Sequence, residues 1–336
     1  MYHTGNLNQI KNASFQVIPS DGFEKTMKEV VHPFLESRKQ SIIFERDHDF
    51  KLYCEYYYME EERGTILISH GFSESHKKYR EMIYYMLRQG YSVCIFDHRG
   101  HGHSRRDSEV NVSANPTHIE RFSDYVAEMD YVVRNVMMEH LPKPYYLYCH
   151  SMGGAVGALY LENYPYVFEK AVLNAPMFEI NRGGIPYLPA KLVVNLACLF
   201  GFKNSFMMGM GKYSSEEDFE HSADTCYERY LYYLKEQQAD PKIQSGGPTF
   251  QWVKESFKAD EKLTKPANVQ KIKCPVLLFQ AESDDFVLPG GHAKFMEEVE
   301  HGRMIFVTGS KHEIYCSDDQ TMQKYLHVIF DFLSMI

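Results

Sequence analysis

The chain reads as an α/β fold, a mostly parallel sheet with helices on both faces and a helical cap inserted into it. Three observations point there. Short runs of β-formers alternate with helical stretches, as at 65–70, 76–89 and 91–98, and such alternation implies parallel strands joined by right-handed crossovers. The alternation lapses between Met177 and about Pro266, where no convincing strand occurs, and resumes at Pro275. Finally, Tyr-Tyr-Leu-Tyr-Cys-His-Ser-Met-Gly-Gly-Ala-Val-Gly-Ala at 145–158 has the pattern of a strand, a sharp turn and a helix. Its serine sits at the turn, in front of the free N–H groups of a helix N-terminus.

Residues 1–40 are mixed and polar and are expected to form an N-terminal arm, with a short helix near 22–31 that Pro33 stops. Residues 41–58 pattern as a β-hairpin around Arg46-Asp47-His48-Asp49. The compact apolar run at 65–70 is a buried strand, followed by Gly71-Phe72 and a helix over 76–89 that Gly90 ends. The strand at 91–98 leads into Asp97-His98-Arg99-Gly100-His101-Gly102-His103-Ser104, and a helix over 119–140 returns to the strand before Ser151. A further strand is expected at 170–176. Inside the insertion the spacing predicts an amphipathic helix over 216–237, opened by Ser215 with Asp218 three residues on. The last elements are a strand at 275–281, a helix over 291–300, a strand at 303–307 and a helix over 319–334. The expected organisation is therefore an arm (1–40), a core (41–176 and 267–336) and a helical cap (177–266).

Composition narrows the function. With 336 residues, 44% of them apolar and 24% charged, the chain is long enough and apolar enough for a substantial core. A formal net charge of -9 argues against a nucleic-acid partner, which requires a basic surface. The seven cysteines are scattered and odd in number, so they read as reduced core thiols. No basic n-region followed by an apolar run marks a signal peptide, and a cytoplasmic location is expected. The most apolar stretch, 192–202, is far short of the ~20 residues that a membrane span needs, and Asn195 interrupts it.

In a parallel sheet, functional groups gather at the carboxyl ends of the strands. Four such ends are polar here: His70-Gly71-Phe72, Ser151, Glu282-Ser283-Asp284-Asp285 and Gly309-Ser310-Lys311-His312. Serine needs a base to remove its proton, and the base needs a carboxylate to fix its tautomer. Ser151 is the candidate nucleophile and His312, after the final strand, the candidate base. Asp284 and Asp285 compete as the acid. The oxyanion of a tetrahedral intermediate needs two preorganised N–H donors. The amides of Met152, after the serine, and Phe72, after a His-Gly turn, are the candidates. Gly153 and Gly154 let strand and helix pass closely, whereas Cys149 stands where the Gly-x-Ser-x-Gly elbow has its first glycine. The histidines at 98, 101 and 103 lack carboxylate or cysteine partners at ligand spacing. The reading is a tight structural turn and no metal.

Several stretches carry a resemblance: Ser-His-Gly-Phe at 69, Asp-His-Arg-Gly-His-Gly-His-Ser at 97, Arg-Phe-Ser-Asp-Tyr-Val at 121 and His-Ser-Met-Gly-Gly at 150. Ala-Pro-Met-Phe at 175, Gly-Gly-Pro-Thr-Phe-Gln-Trp-Val at 246 and Lys-His-Glu-Ile at 311 extend it. Over most of 40–335 the sequence resembles the bacterial lysophospholipases and the related monoacylglycerol-lipase-like α/β hydrolases. The resemblance implies an α/β-hydrolase fold and a serine ester hydrolase, with Ser151 as nucleophile, His312 as base and Phe72 and Met152 forming the oxyanion hole. It selects Asp284 as the acid, because the family's acid lies three residues before a valine, here Val287. The expected substrate is a lysophospholipid or monoacylglycerol, cleaved through an acyl-serine intermediate without a cofactor. The rival readings are a carboxylesterase for small soluble esters and a catalytically silent module binding a lipid or signal molecule. Residues 185–202 are too apolar for an ordinary surface loop. They are expected to line an acyl pocket or pack on the core, and to offer peripheral contact with the inner face of a membrane.

Overall fold

The computed structural model describes residues 2–11, 13, 15–46, 50–60, 63–105 and 114–335. Its strands are β1 (His3–Asn6), β2 (Lys39–Glu45), β3 (Lys51–Tyr57), β4 (Thr65–Ser69), β5 (Ser92–Phe96), β6 (Tyr145–His150), β7 (Lys170–Asn174), β8 (Val276–Ser283) and β9 (Gly302–Lys311). They form one sheet in the order β1-β9-β8-β7-β6-β4-β5-β3-β2. Pairing is antiparallel at β2/β3 and β3/β5 and parallel elsewhere.

Every residue of β4, β5 and β6 is buried, as expected for strands covered on both faces. The two-residue period divides β6 between two cores. Tyr145, Leu147 and Cys149 join the core that also holds Val126, Val156 and Phe257, whereas Tyr146 and Tyr148 join the one holding Ile83, Met86 and Ile329. The helices Phe122–Val132, Ser151–Asn163 and Phe250–Leu263 thus cover one face, and Arg80–Arg88 and Asp319–Ser334 the other.

Strand register positions the polar ends. Ser69 pairs with Cys149, which brings the Gly71-Phe72 turn beside the elbow serine. On the other side, β8 and β9 pair through an irregularity after Ala281, so that Ser283 faces Lys311. Asp284 and His312, one residue beyond each, consequently leave the sheet side by side. Because β9 continues to Lys311 rather than ending near 307, it carries His312 into this position.

Three expectations differ from the structure. The N-terminal arm, expected to be mixed and polar, is packed onto the fold through its described residues. β1 adds a parallel edge strand to β9, while Leu7, Phe23, Met27, Val31 and Leu35 are buried in the second core. Pro33 does not stop the helix there either. The helical run continues from Phe23–Thr26 through the π-helical turn Met27–Val31 into His32–Glu36, and the wider turn just before Pro33 makes room for a ring and a missing N–H that a regular α-helix would not accommodate. In the insertion, residues 216–226 are irregular and the helix begins at Tyr227 (Tyr227–Ala239). Asp218 hydrogen-bonds His221 at 2.8 Å, and Phe219 folds back onto the rings of Tyr227 and Tyr230, at 5.4 Å from each. That aromatic contact draws the polar run down along the helix instead of extending it. Residues 47–49 of the β2/β3 hairpin turn lie outside the described residues.

Between β7 and β8 the chain forms the helices Tyr187–Leu199, Tyr227–Ala239, Phe250–Leu263 and Pro266–Val269, with no named strand among the described residues. Thr249 opens the third by accepting the Trp252 amide at 3.0 Å, a side-chain N-cap.

Candidate active site

Ser151 occupies the turn between β6 and the helix Ser151–Asn163 with φ of 49°. That is left-handed backbone, costly for a residue with a Cβ and retained where the surroundings enforce it. The surroundings are explicit. A Cβ on Gly153 would lie 2.1 Å from the Ser69 carbonyl oxygen, and one on Gly154 would lie 2.5 Å from Cβ of Pro176. The helix can pass the sheet only with no side chain at either place. A Cβ on Gly157 would stand 2.4 Å from Cys149 Sγ, so the cysteine that replaces the elbow's first glycine fills the space Gly157 leaves. Burial pushes the Cys149 thiol well above its ordinary range, and it is an inert packing group rather than a second nucleophile.

Asp284 and His312 meet in a 2.7 Å hydrogen bond, Oδ2 to Nδ1, with side chains 8% and 6% exposed. A carboxylate only accepts, so Nδ1 carries the proton and Nε2 has its lone pair free. The other oxygen, Oδ1, accepts the amides of Phe286 and Val287 at 2.9 and 3.0 Å. Burial alone would raise the Asp284 carboxyl, but the bond and charge of His312 and the two amides outweigh it and hold the group below the usual range. Asp285 is exposed, and among the described residues it is engaged at its carbonyl, by Asn181 at 3.1 Å. The imidazole of His312 lies between Phe286 and His150, with ring centroids 5.0 and 4.7 Å away. Among the described residues Ser151 Oγ makes no hydrogen bond to His312, whose ring packs on that of His150, the residue before the serine.

The two expected amide donors come from the elbow helix and from the turn after β4. Met152 is the second residue of its helix, where a backbone N–H has no intrahelical acceptor. Phe72 follows Gly71, whose carbonyl is held by His70: Nε2 of His70 accepts the His98 amide at 2.9 Å, leaving Nδ1 to donate to Gly71 O at 2.8 Å. A planar trans peptide directs its N–H opposite its C=O, so anchoring the Gly71 oxygen also aims the Phe72 amide. The ring of Phe72 rests against Trp252 of the insertion, centroids 4.5 Å apart.

The histidine-rich loop is built as a turn. Asp97 accepts from His76 Nδ1 at 2.8 Å and from the His103 amide at 2.7 Å, and a Cβ on Gly102 (φ 49°) would collide with its carboxylate. His98 Nε2 pairs with Ser69 Oγ at 2.9 Å, while Nδ1 of His101 donates to the Arg99 carbonyl at 3.0 Å. Burial lowers both, His101 to about 3, so these rings are neutral. The loop braces the end of β4.

The sequence pattern of the serine aminopeptidase S33 family matches residues 60–319. The chain belongs to that family. This S33 member is 34% identical over 283 residues to lysophospholipase L2 of Escherichia coli strain K12, covering 80% of each chain. It is 28% identical over 273 residues to the probable lysophospholipase L2 of Haemophilus influenzae, covering 81% of this chain and 84% of the other. Among solved structures, a soluble variant of Saccharomyces cerevisiae monoglyceride lipase, in complex with a substrate analog, superposes with a TM-score of 0.66 at 17% identity, over 88% of this chain and 95% of that one. A carboxyl esterase of Bacillus coagulans gives 0.68 at 15%, over 88% and 98%. The fold is that of the α/β hydrolases.

Two features of this S33 site were not anticipated from the sequence. Glu74, a buried carboxylate three residues after Gly71, accepts the Gly71 amide and the Tyr315 hydroxyl. The signal for it was an acidic residue inside the polar turn after β4. The other is the orientation of Tyr187–Leu199. Tyr187, Ala190 and Ala197 pack toward the core and Val194 is buried, while Leu188, Leu192, Val193, Leu196 and Leu199 are exposed. Leu192, Leu196 and Leu199, expected at an acyl pocket or packed on the core, face outward.

Proposed function

We propose that this chain hydrolyses the carboxylic ester of a lysophospholipid or monoacylglycerol through an acyl-serine intermediate, with Ser151, His312 and Asp284 as its triad. The observation that carries the reading is the 2.7 Å bond from His312 to Asp284, with the His312 ring packed against His150 next to the strained Ser151 elbow. Nε2 of His312 takes the Ser151 proton as Oγ bonds to the ester carbonyl carbon. The charge that passes to the carbonyl oxygen is met by the Phe72 and Met152 amides. Asp284, ionised because its carboxyl is held low, stabilises the imidazolium. When the intermediate collapses, the glycerol oxygen leaves with the proton from His312. Water then attacks the acyl carbon by the same route in reverse, releasing the fatty acid and restoring Ser151. The relatives named lysophospholipase support the lipid ester as substrate.

The segment between β7 and β8 acts in this reading as a cap that meets the membrane. Trp252 rests on Phe72, over the site. The outward face of Tyr187–Leu199 and the turn after it expose Leu188 (75%), Leu199 (77%) and Phe200 (72%), an arrangement opposite to that of a helix meant to face water. Arg182, Lys191 and Lys203 of this segment are ion-paired with Glu179, Glu261 and Glu120, so its exposed apolar side chains rather than its charge suit it to a lipid surface. No described helix is long and apolar enough to cross a membrane.

The deciding experiment compares wild type and Ser151→Ala on long-chain lysophospholipid, long-chain monoacylglycerol and a short soluble ester, with labelling by a fluorophosphonate probe. The expected result is labelling and long-chain turnover in wild type, both lost in a folded Ser151→Ala. Turnover by that variant would end the assignment. A preference for the short ester would transfer the protein to the carboxylesterases, and absence of labelling would favour a silent binding module.

A further inference from the structure

The carboxylate of Glu74 is 3% exposed and takes three strong donors. Oε2 accepts the Gly71 amide and the Tyr79 hydroxyl, each at 2.6 Å, and Oε1 accepts the Tyr315 hydroxyl at 2.5 Å. Gly71 is the residue before Phe72, and Tyr315 stands three residues beyond His312. One side chain therefore ties the loop that carries an oxyanion donor to the loop that carries the base. Its Oε1 also lies 3.5 Å from Nε2 of His150, the residue before Ser151.

The surroundings leave this loop little room. A Cβ on Gly71 would come within 2.9 Å of the His150 ring and 3.0 Å of Glu74 Oε2. Behind Glu74, the Lys78 ammonium is 3.8 Å from Oε1 and is ion-paired with Glu313, the neighbour of His312. The Glu313 amide in turn donates to Ala223 O of the insertion at 3.0 Å. A buried carboxylate costs more than an apolar side chain unless its bonds perform a task. A glycine, which alone among residues could rotate freely here, is the residue whose amide it holds.

We infer that Glu74 is a positioning residue: its carboxylate fixes the Gly71–Phe72 backbone and couples it to the Tyr315 loop, so that the Phe72 N–H and His312 converge on one reacting carbonyl. His70 holds the carbonyl of Gly71 and Glu74 its amide, and the peptide between Gly71 and Phe72 cannot turn away while both are in place. The inference rests on the proposed ester hydrolysis.

The test uses the full-length enzyme and p-nitrophenyl butyrate, with kcat, KM and the affinity of an alkyl trifluoromethyl ketone measured for each variant. The ketone adds to the serine and places an oxyanion where the tetrahedral intermediate has one. Glu74→Gln should lower kcat about 10- to 100-fold, up to the lower end of the loss seen when an oxyanion donor is removed outright, because the Phe72 amide is displaced rather than deleted. KM should stay within about two-fold, and ketone affinity should fall in step with kcat. Glu74→Asp keeps the buried charge but is one methylene short of spanning Gly71 and Tyr315, and it should lose kcat in the same way. If Glu74→Gln does not fold, Glu74→Asp decides. Wild-type kcat and ketone affinity in a folded variant, or a raised KM at unchanged kcat, would overturn the role. Ser151→Ala measured alongside separates the two ideas. Turnover there removes the Ser151 triad on which the inference rests, whereas an inactive Ser151→Ala beside an unimpaired Glu74 variant removes only the inference.

Discussion

Replacing Leu188, Leu199 and Phe200 together by serine is the sharpest test of the membrane-facing cap. The three side chains are 75%, 77% and 72% exposed. A whole leucine or phenylalanine side chain leaving water gains about 2 kcal/mol, so three-quarters of one contributes about 1.5 kcal/mol when the face inserts among acyl chains. All three contribute about 4.5 kcal/mol, or about a thousand-fold in the partition coefficient at 1.4 kcal/mol per decade. The assay is sedimentation with large vesicles of phosphatidylethanolamine and phosphatidylglycerol across a range of lipid concentrations. Far-UV circular dichroism and turnover of a short soluble ester report whether the variant is folded and its site intact. The expected result is a bound fraction that collapses in the triple variant, slower hydrolysis of vesicle-borne long-chain lysophospholipid, and an unchanged rate on the soluble ester. Vesicle binding equal to wild type, or no binding by wild type, would refute the reasoning.

The carboxylate assignment predicts that Asp284→Asn lowers kcat by about 10³- to 10⁴-fold, as expected when a triad histidine loses its orienting acid. The exposed Asp285→Asn should stay within about two-fold in the same soluble-ester assay, and the reverse pattern would identify the wrong residue. Gly157→Ala sets a Cβ 2.4 Å from Cys149 Sγ and should cost about 1–3 kcal/mol of stability by overpacking. Adding Cys149→Gly should recover much of that loss, and strict additivity of the two in denaturant melts would contradict the contact. Asp260 is pushed up to about 8 by burial, so the folded state binds a proton that the unfolded state releases near pH 4. Its contribution to stability therefore declines as pH rises from about 4 to about 8. Asp260→Asn, which cannot ionise, should gain in melting temperature over wild type between pH 6 and pH 9; a constant difference would exclude the ionisation.

Much of the fold and the elements of the site were legible in the sequence, because they depend on local pattern. Buried parallel strands read as short apolar runs, the elbow as a serine among small residues, and the order Ser, Asp, His as three loops after three strands. Residues 319–334 gave the last helix with its boundaries, since Asp318 caps it by accepting the Gln320 and Thr321 amides. The decisive contacts were not local. Asp284 and Asp285 are adjacent and chemically alike, and apart from a family spacing only the β8/β9 register, which pairs Ser283 with Lys311, brings one of them onto His312. Cys149 looked like a flaw in the elbow until its packing partner, Gly157, was known. Pro33 and the run at 216–226 went against expectation because a π-turn and an aromatic contact, neither visible in a propensity, changed what the backbone could do. Periodicity along Tyr187–Leu199 told which residues share a face. It could not tell which face the rest of the molecule leaves uncovered, because that depends on the surface the helix packs against and only tertiary structure supplies it.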